Sequence, residues 1–256
     1  MKKLLITLLL LLPVTSFASV TTGLVEYWPL DTRDFSSATN VLGRGGNADT
    51  GTLEGSPTPV IGHVGQALSF SGSNDVIFSG TTGTLNNVSA MSVAYWVKAG
   101  AQGSIADMVN KVEDYCSGAG WSAVSFGGEL GFLYQMEGGT VYYFKNIQFN
   151  VFDSKWHYIA ITYADPNIIH IYVDGVDEPL QDQSSGTVTD ISSTVNIEIG
   201  NDKGLDGCNS PFVGTLDDVQ LYNRVLTSAE VTKLYDSEAG IHPGSFWGTL
   251  LAALRI

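Results

Sequence analysis

The run WHYIAITY (156–163), the turn ADPN (164–167) and the run IIHIYVDG (168–175) decide the fold. In the first run His157, Ile159, Ile161 and Tyr163 alternate with Trp156, Tyr158, Ala160 and Thr162. A period of two is the mark of a strand, because successive side chains leave opposite faces of a pleated chain. Asp165, Pro166 and Asn167 are turn formers, so the two runs read as a β-hairpin, and Asp174-Gly175 marks the next turn.

Working outward, the same alternation recurs in MSVAYWVK (91–98), where Met91, Val93, Tyr95 and Val97 share one face. Further strand candidates are LVEYWPL (24–30), ALSF (67–70), AVSF (123–126), LGFLYQM (130–136), VYYFK (141–145), VNIEIG (195–200) and FVGTLDDVQLYN (212–223). Turns rich in Gly, Asn, Asp and Ser separate them. One good helix stands out. Thr227 is an N-cap candidate with Glu230 three residues on, a capping box, and Val231, Leu234 and Tyr235 give one apolar face. That face is expected to pack on the sheet edge. Many short strands without alternating helices imply an all-β, two-sheet antiparallel β-sandwich or jelly roll with a short C-terminal helix. No Pro- or Ser-rich linker and no repeat interrupts 20–240, so residues 19–240 are expected to form one domain.

Composition narrows the function classes. The chain has 256 residues, 26 acidic against 12 basic side chains, and a formal charge of −14. Apolar residues make up 44%, enough for a core, so the chain is not mainly disordered. The acidity argues against nucleic acid, which needs clustered Lys and Arg, and against docking on an anionic membrane. An acidic, Gly-rich, Lys-poor chain fits an exported protein that holds a hard cation.

Residues 1–18, MKKLLITLLLLLPVTSFA, read as a secretory signal peptide. Lys2 and Lys3 form the positive end, Leu4 to Leu12 the apolar stretch, and Ser16 and Ala18 the small residues before the cut. The mature protein is therefore expected to be secreted, periplasmic or on the cell surface. The last segment, 241–256, ends in the apolar run SFWGTLLAALRI (245–256). It is too short to span a bilayer, which takes about 20 apolar residues, and reads either as a docking helix or as the cut end of a longer protein. Cys116 and Cys208 are the only two cysteines. An even count in an oxidising compartment suggests one disulfide, and neither flanking loop has the His or extra Cys of a zinc site.

Six pieces, GLVEYWPLD (23–31), GQALSFSGSND (65–75), MSVAYWVK (91–98), WHYIAITY (156–163), IYVDG (171–175) and FVGTLDDVQLYNRVLTSAEVTKLY (212–235), stand in order along the chain. Together they resemble the laminin-G-like jelly roll of the concanavalin A-like lectin and glucanase superfamily, as found in bacterial exported proteins. The resemblance implies one flat and one curved antiparallel sheet packed face to face. It also implies a calcium ion near the sheet edge, and the positions matching the family's acidic spots are Asp31, Asn74, Asp75 and Asp217. Calcium takes six to eight oxygen ligands. On the last strand Asp217 shares a face with Val219 and Leu221; if that face is inward, Asp217 is a buried carboxylate needing a partner or a metal. The competing account makes Asp31 and Asn74 turn residues and Asp217 an acceptor of main-chain hydrogen bonds. Asp218, on the opposite face, is expected in solvent.

Glycosidases of this superfamily carry a Glu-x-Asp-x-x-Glu run along one strand, and none exists here. Alginate lyases on the jelly roll use His and Tyr with an Arg-bearing strand. YFKNIQF (143–149) resembles one of their strands and IIHIY (168–172) supplies His170. However, Arg33, Arg44, Arg224 and Arg255 lie outside any matching strand. His170 reads more simply as a strand residue before the Asp-Gly turn, and His157 as structural from its match to the family's strand. His63 and His242 read as loop residues. The expected function is a non-catalytic binding module. Its partner is a polysaccharide or other glycan, or else a cell-surface protein; a polysaccharide-degrading enzyme is the remaining alternative. Sugars are held by aromatic faces with amides and carboxylates on the hydroxyls. Trp28, Trp96 and Trp156 match core pieces, which leaves Trp121, Tyr134 and Tyr143 as ligand candidates; Tyr142 and Tyr143 are adjacent, so alternation turns one of them outward.

Overall fold

The computed structural model describes residues 20–47, 49–72, 75–78, 83–103, 105–113, 118–135, 142–185, 191–202 and 209–239. The expected signal peptide, the 241–256 tail, Asn74, Cys116 and Cys208 lie outside them.

The first strands are β1 (Leu24–Trp28), β2 (Phe35–Ser37), β3 (Asn40–Leu42), β4 (Thr50–Glu54), β5 (Thr58–Ile61), β6 (Gln66–Ser71) and β7 (Val76–Phe78). The middle of the chain supplies β8 (Ala90–Lys98), β9 (Ile105–Val112), β10 (Gly120–Phe126), β11 (Glu129–Gln135) and β12 (Tyr142–Ile147). Then come β13 (Trp156–Ala164), β14 (Ile168–Val173), β15 (Val176–Asp177), β16 (Leu180–Asp182), β17 (Glu198–Ile199), β18 (Val213–Tyr222) and the helix α1 (Ser228–Ala239). An eight-stranded sheet runs β15-β14-β13-β8-β18-β6-β5, with β1 also on β18. A ten-stranded sheet runs β16-β12-β11-β10-β9-β17-β7-β4-β3-β2. Among the described residues every pairing is antiparallel.

The hairpin expected at 156–175 forms, with Ala164 opposite Ile168 and Asn167 at φ 86°. A left-handed residue closing a three-residue loop is a common hairpin solution, and Asn tolerates it. Asp174 and Gly175 both have positive φ, at 51° and 83°, which is the two-residue turn that matches strand twist. Asp174 also accepts the Tyr158 amide at 2.9 Å and holds His157 Nδ1 at 2.8 Å. His157 is thus a brace between β13 and the next turn, in line with its structural reading.

The two sheets meet in one core. Trp28, Tyr95, Leu216 and Val219 from the eight-stranded sheet pack with Met108, Trp121, Phe132 and Ile199 from the ten-stranded sheet. Each such side chain contributes about 1.5–3 kcal/mol by leaving water.

A second, smaller core lies on the outer face of the eight-stranded sheet. There Val231 and Leu234 of α1 cover Trp96, Tyr158 and Tyr172. The helix therefore lies over the face of the sheet, on its central strand β8, and not at the edge that the sequence suggested. The capping box forms as read. Glu230 N donates to Thr227 Oγ1 at 3.3 Å, and Thr227 N donates to Glu230 Oε2 at 2.9 Å. Arg224 adds a two-pronged pair to the same carboxylate at 2.8 and 2.7 Å, and its hydrogen bonds hold Glu230 down to about 2. Among the described residues no helix is long and apolar enough to cross a membrane.

Candidate functional site

The acids expected to bind calcium do not converge. Asp31 and Asp217 meet at the loop 62–65 that joins β5 to β6. Asp217 Oδ2 accepts the amides of His63 and Val64 at 2.8 and 2.9 Å, and Asp31 Oδ1 accepts that of Gln66 at 2.7 Å. Asp75 works at the other end of β6, taking the amides of Ser56 and Ser71, both at 2.7 Å. Six residues of strand separate the two places. Asp31 and Asp75 are thus loop clasps, and Asn74 lies outside the described residues. Among the described residues no three His, Cys, Asp or Glu side chains gather as a metal cage.

Asp217 also faces the other way from the sequence reading. It pairs with Trp96, whereas Gln220 pairs with Ala94, so the register slips between them. The slip is a β-bulge at Asp218, whose φ is 49°. Leu216, Val219 and Leu221 then point into the core, and Asp217 points to the outer face beneath the 62–65 loop. His63 closes that loop, its ring stacked on Trp96 at 3.4 Å.

The bulge buries Asp218 as well, where solvent was expected; it is 2% exposed and accepts the Tyr27 hydroxyl. Desolvation raises both carboxyls well above the usual range, with the charges of Asp218 and Asp31 adding to it at Asp217 and that of Asp31 at Asp218. Asp217 Oδ1 and Asp218 Oδ2 are buried without a hydrogen bond. Adjacent residues at the bulge thus each keep one buried carboxylate oxygen without a hydrogen bond.

The aromatic candidates are corrected too. Trp121 is 1% exposed and Tyr134 is fully buried, both in the main core between the sheets. Alternation along β10 and β11 places them on the inner face with Ala123 and Phe132, so neither offers a ring to a sugar. Tyr143 pairs with Tyr134 across β11 and β12; its side chain is outside the described residues.

The opposite face of these same strands carries a different group. β10 and β11 are joined by Gly127-Gly128 at φ 61° and 87°, a turn that needs left-handed backbone twice. The turn sets Phe126 directly across from Glu129 on the outer face of the ten-stranded sheet. Phe126 is 38% exposed and its ring tilts on Phe144 at 5.2 Å, over an apolar floor of Val124, Leu133 and Phe144. Beside it, Glu129 Oε2 accepts the side-chain amides of Asn146 and, at 3.3 Å, Gln183; Gln183 Nε2 also reaches Asn146 Oδ1 at 3.2 Å. An exposed ring next to a half-buried carboxylate and the exposed Gln183 amide, both held by the fully buried Asn146, matches what a saccharide asks for: an apolar face and hydroxyl partners. The pattern FGGE (126–129) carried the signal, because a Gly-Gly turn fixes which residues oppose each other. Asn146 and Gln183 come from β12 and the end of β16, and no local spacing links them to it.

Comparison with known proteins agrees with this architecture. No curated protein sequence matches the chain. Among solved structures, domain 4 of the extracellular arabinanase AbnA from Geobacillus stearothermophilus, in complex with arabinotriose, superposes with a TM-score of 0.64 at 20% identity. That match covers 83% of this chain and 98% of that one. The binding domain of Paraclostridial Mosquitocidal Protein 1 gives 0.65 at 16% identity, over 85% of this chain and 52% of that one. The ligand binding domain of botulinum neurotoxin serotype D, in complex with N-acetylneuraminic acid, gives 0.64 at 14%, over 86% and 52%. The chain thus spans about half the length of the two toxin domains. At such identities these likenesses carry the fold. A family model for the concanavalin A-like lectin/glucanases superfamily matches residues 70–232, well over half the sequence, and the chain belongs to that superfamily.

Proposed function

We propose that the protein is an exported carbohydrate-binding module that holds a saccharide at the β10–β11 hairpin. The observation that carries the reading is the group at the outer face of the ten-stranded sheet: Phe126 exposed beside Glu129, Asn146 and Gln183. Aromatic stacking supplies the contact area, and the Glu129 carboxylate and the exposed Gln183 side chain fix orientation through hydroxyl hydrogen bonds, with the fully buried Asn146 holding both in place. Similar folds carry arabinotriose or N-acetylneuraminic acid, which supports a glycan partner. The signal-like segment 1–18 supports export. Binding is preferred over turnover because the sequence has no paired-carboxylate strand motif.

Calcium belongs to the proposal in a structural role. Asp217 and Asp218 would hold it, and it would supply positive charge to two carboxylates that burial otherwise disfavours. The glycan test is a saccharide panel run against the wild type and Phe126→Ala. Saturable binding lost in Phe126→Ala is the expected result. Binding that is unchanged in the variant refutes this site, and a panel with no saturable binding moves the function to protein adhesion.

A further inference from the structure

We infer that the hairpin site selects neutral saccharides and rejects anionic ones. The inference rests on the carbohydrate reading of the same site and adds the ligand class. Its basis is the charge and hydrogen-bond polarity of the groups that face the ligand.

Glu129 is the one charged side chain of the four, and it is half-buried. Its Oε2 is occupied by Asn146 and Gln183. Among the described residues no hydrogen bond reaches Oε1, which leaves that oxygen as an acceptor for a ligand hydroxyl. A carboxylate oxygen asks for a hydroxyl donor, and a sugar carboxylate or sulfate can give none there. It also brings a like charge against one that is partly desolvated, where repulsion is screened less than in water.

Among the described residues no cation pairs with Glu129. Lys145 is the neighbour of Asn146 on β12, but it pairs with Phe132 and so belongs to the inner side of the sheet, and its ammonium is taken by Asp182. The two amides do not replace a cation: Asn146 is fully buried, and the Gln183 N–H groups go to Glu129 Oε2 and Asn146 Oδ1. The Gly127-Gly128 turn adds shape to the argument. Nothing lies within 4 Å of where a side chain would stand at either residue, so a flat ring can settle on Phe126 without an obstacle at the turn. The site therefore offers a ring face and one strong acceptor, which fits a neutral ring with an apolar C–H side and a free hydroxyl pair.

The experiment titrates the full chain with oligosaccharide pairs that differ only in a carboxylate: galacto- against galacturono-oligosaccharides, and gluco- against glucurono-oligosaccharides. Wild type, Phe126→Ala and Glu129→Gln are compared. The expected result is neutral members binding at least about tenfold more tightly, as loss of a charged hydrogen bond and gain of repulsion together require. Glu129→Gln should weaken neutral binding and shrink the preference, and Phe126→Ala should remove binding of both. Equal or tighter binding of the acidic members, still lost in Phe126→Ala, overturns the selectivity and leaves the site standing. A neutral preference untouched by either substitution overturns the site itself. Absence of binding by every pair overturns both.

Discussion

Asp217 stands opposite Trp96 across β18 and β8, on the outer face of the sheet, although its sequence neighbours Leu216 and Val219 both point into the core. The bulge at Asp218 makes this possible by adding one residue to β18 without adding one to its partner. The consequence is a carboxylate buried under the 62–65 loop, where it holds the amides of His63 and Val64. A strictly alternating strand would send Asp217 inward and leave that loop without its acceptor.

Removing the acceptor should loosen the loop. Asp217→Ala strands the buried His63 amide and the partly buried Val64 amide; a buried donor left unpaired costs about 1–3 kcal/mol. The same change releases His63 from its stack on Trp96. Chemical denaturation should give a loss of about 2–4 kcal/mol, by the same rule. Asp217→Asn, which keeps an oxygen for the amides, should lose much less in the presence of EDTA. A small loss in Asp217→Ala would show that the loop is held by other contacts.

Calcium at the bulge has its own signature. A ligand that binds only the folded state raises the melting temperature, by about 2.7 kcal/mol of added stability at a hundred times its dissociation constant. Melting curves should therefore rise with added calcium, fall with EDTA, and stop responding in Asp218→Asn. Curves that ignore calcium in the wild type would exclude a structural ion at Asp217 and Asp218.

The fold was legible where alternation was long. β8, β13, β14 and β18 run for six to ten residues, and their apolar faces match the core. The stretch from 35 to 61 was not legible, because FSS and NVL are three residues each and TGTLE is mostly polar with a Gly inside it. They are strands because neighbours pair with them. In the site, burial of Asp217 was expected only if its face were inward, and the bulge buries it on the outer face instead, since a bulge is a register event between two strands. Trp121 and Tyr134 were ligand candidates because neither lies in a piece that matches the family's core. Hairpin register, set by Gly127-Gly128, turns them inward and turns Phe126 out. Asp31 and Asp75 share residue type and loop context, yet they bind backbone at opposite ends of β6.

The inward ring of Trp121 gives a clean contrast with the exposed Phe126. Trp121→Ala opens a cavity against Phe132, whose ring lies 6.1 Å away. The cost should be about 3–5 kcal/mol, as for other large core truncations. Sugar affinity measured on the fraction still folded should be unchanged. Loss of affinity without loss of stability would return Trp121 to the binding surface.

Acid should stabilise the protein through Asp107. This carboxyl is fully buried on β9, takes hydroxyl hydrogen bonds from Ser122 and Ser210, and has Asp202 nearby. Desolvation wins over the two hydroxyls and, with the Asp202 charge, pushes it from 3.8 up to about 7. Its folded value then lies above its unfolded value, so between the two the folded state binds more protons. Stability from this group is fully present below pH about 4 and is lost as pH rises through about 7. With about 1.4 kcal/mol per unit, the loss is on the order of 4 kcal/mol. The carboxyls of Asp75 and Glu230 run the other way, being lowered by Ser71 and Arg224, and they limit stability only in stronger acid. Urea midpoints taken from pH 5 to pH 8 should therefore fall in the wild type and fall less steeply in Asp107→Asn. The Asn oxygen can still accept one hydroxyl while the amide removes the buried charge, so the variant should gain most at pH 8. Parallel slopes in the two proteins would mean that Asp107 keeps its charge when buried, and that the hydroxyls of Ser122 and Ser210 outweigh desolvation.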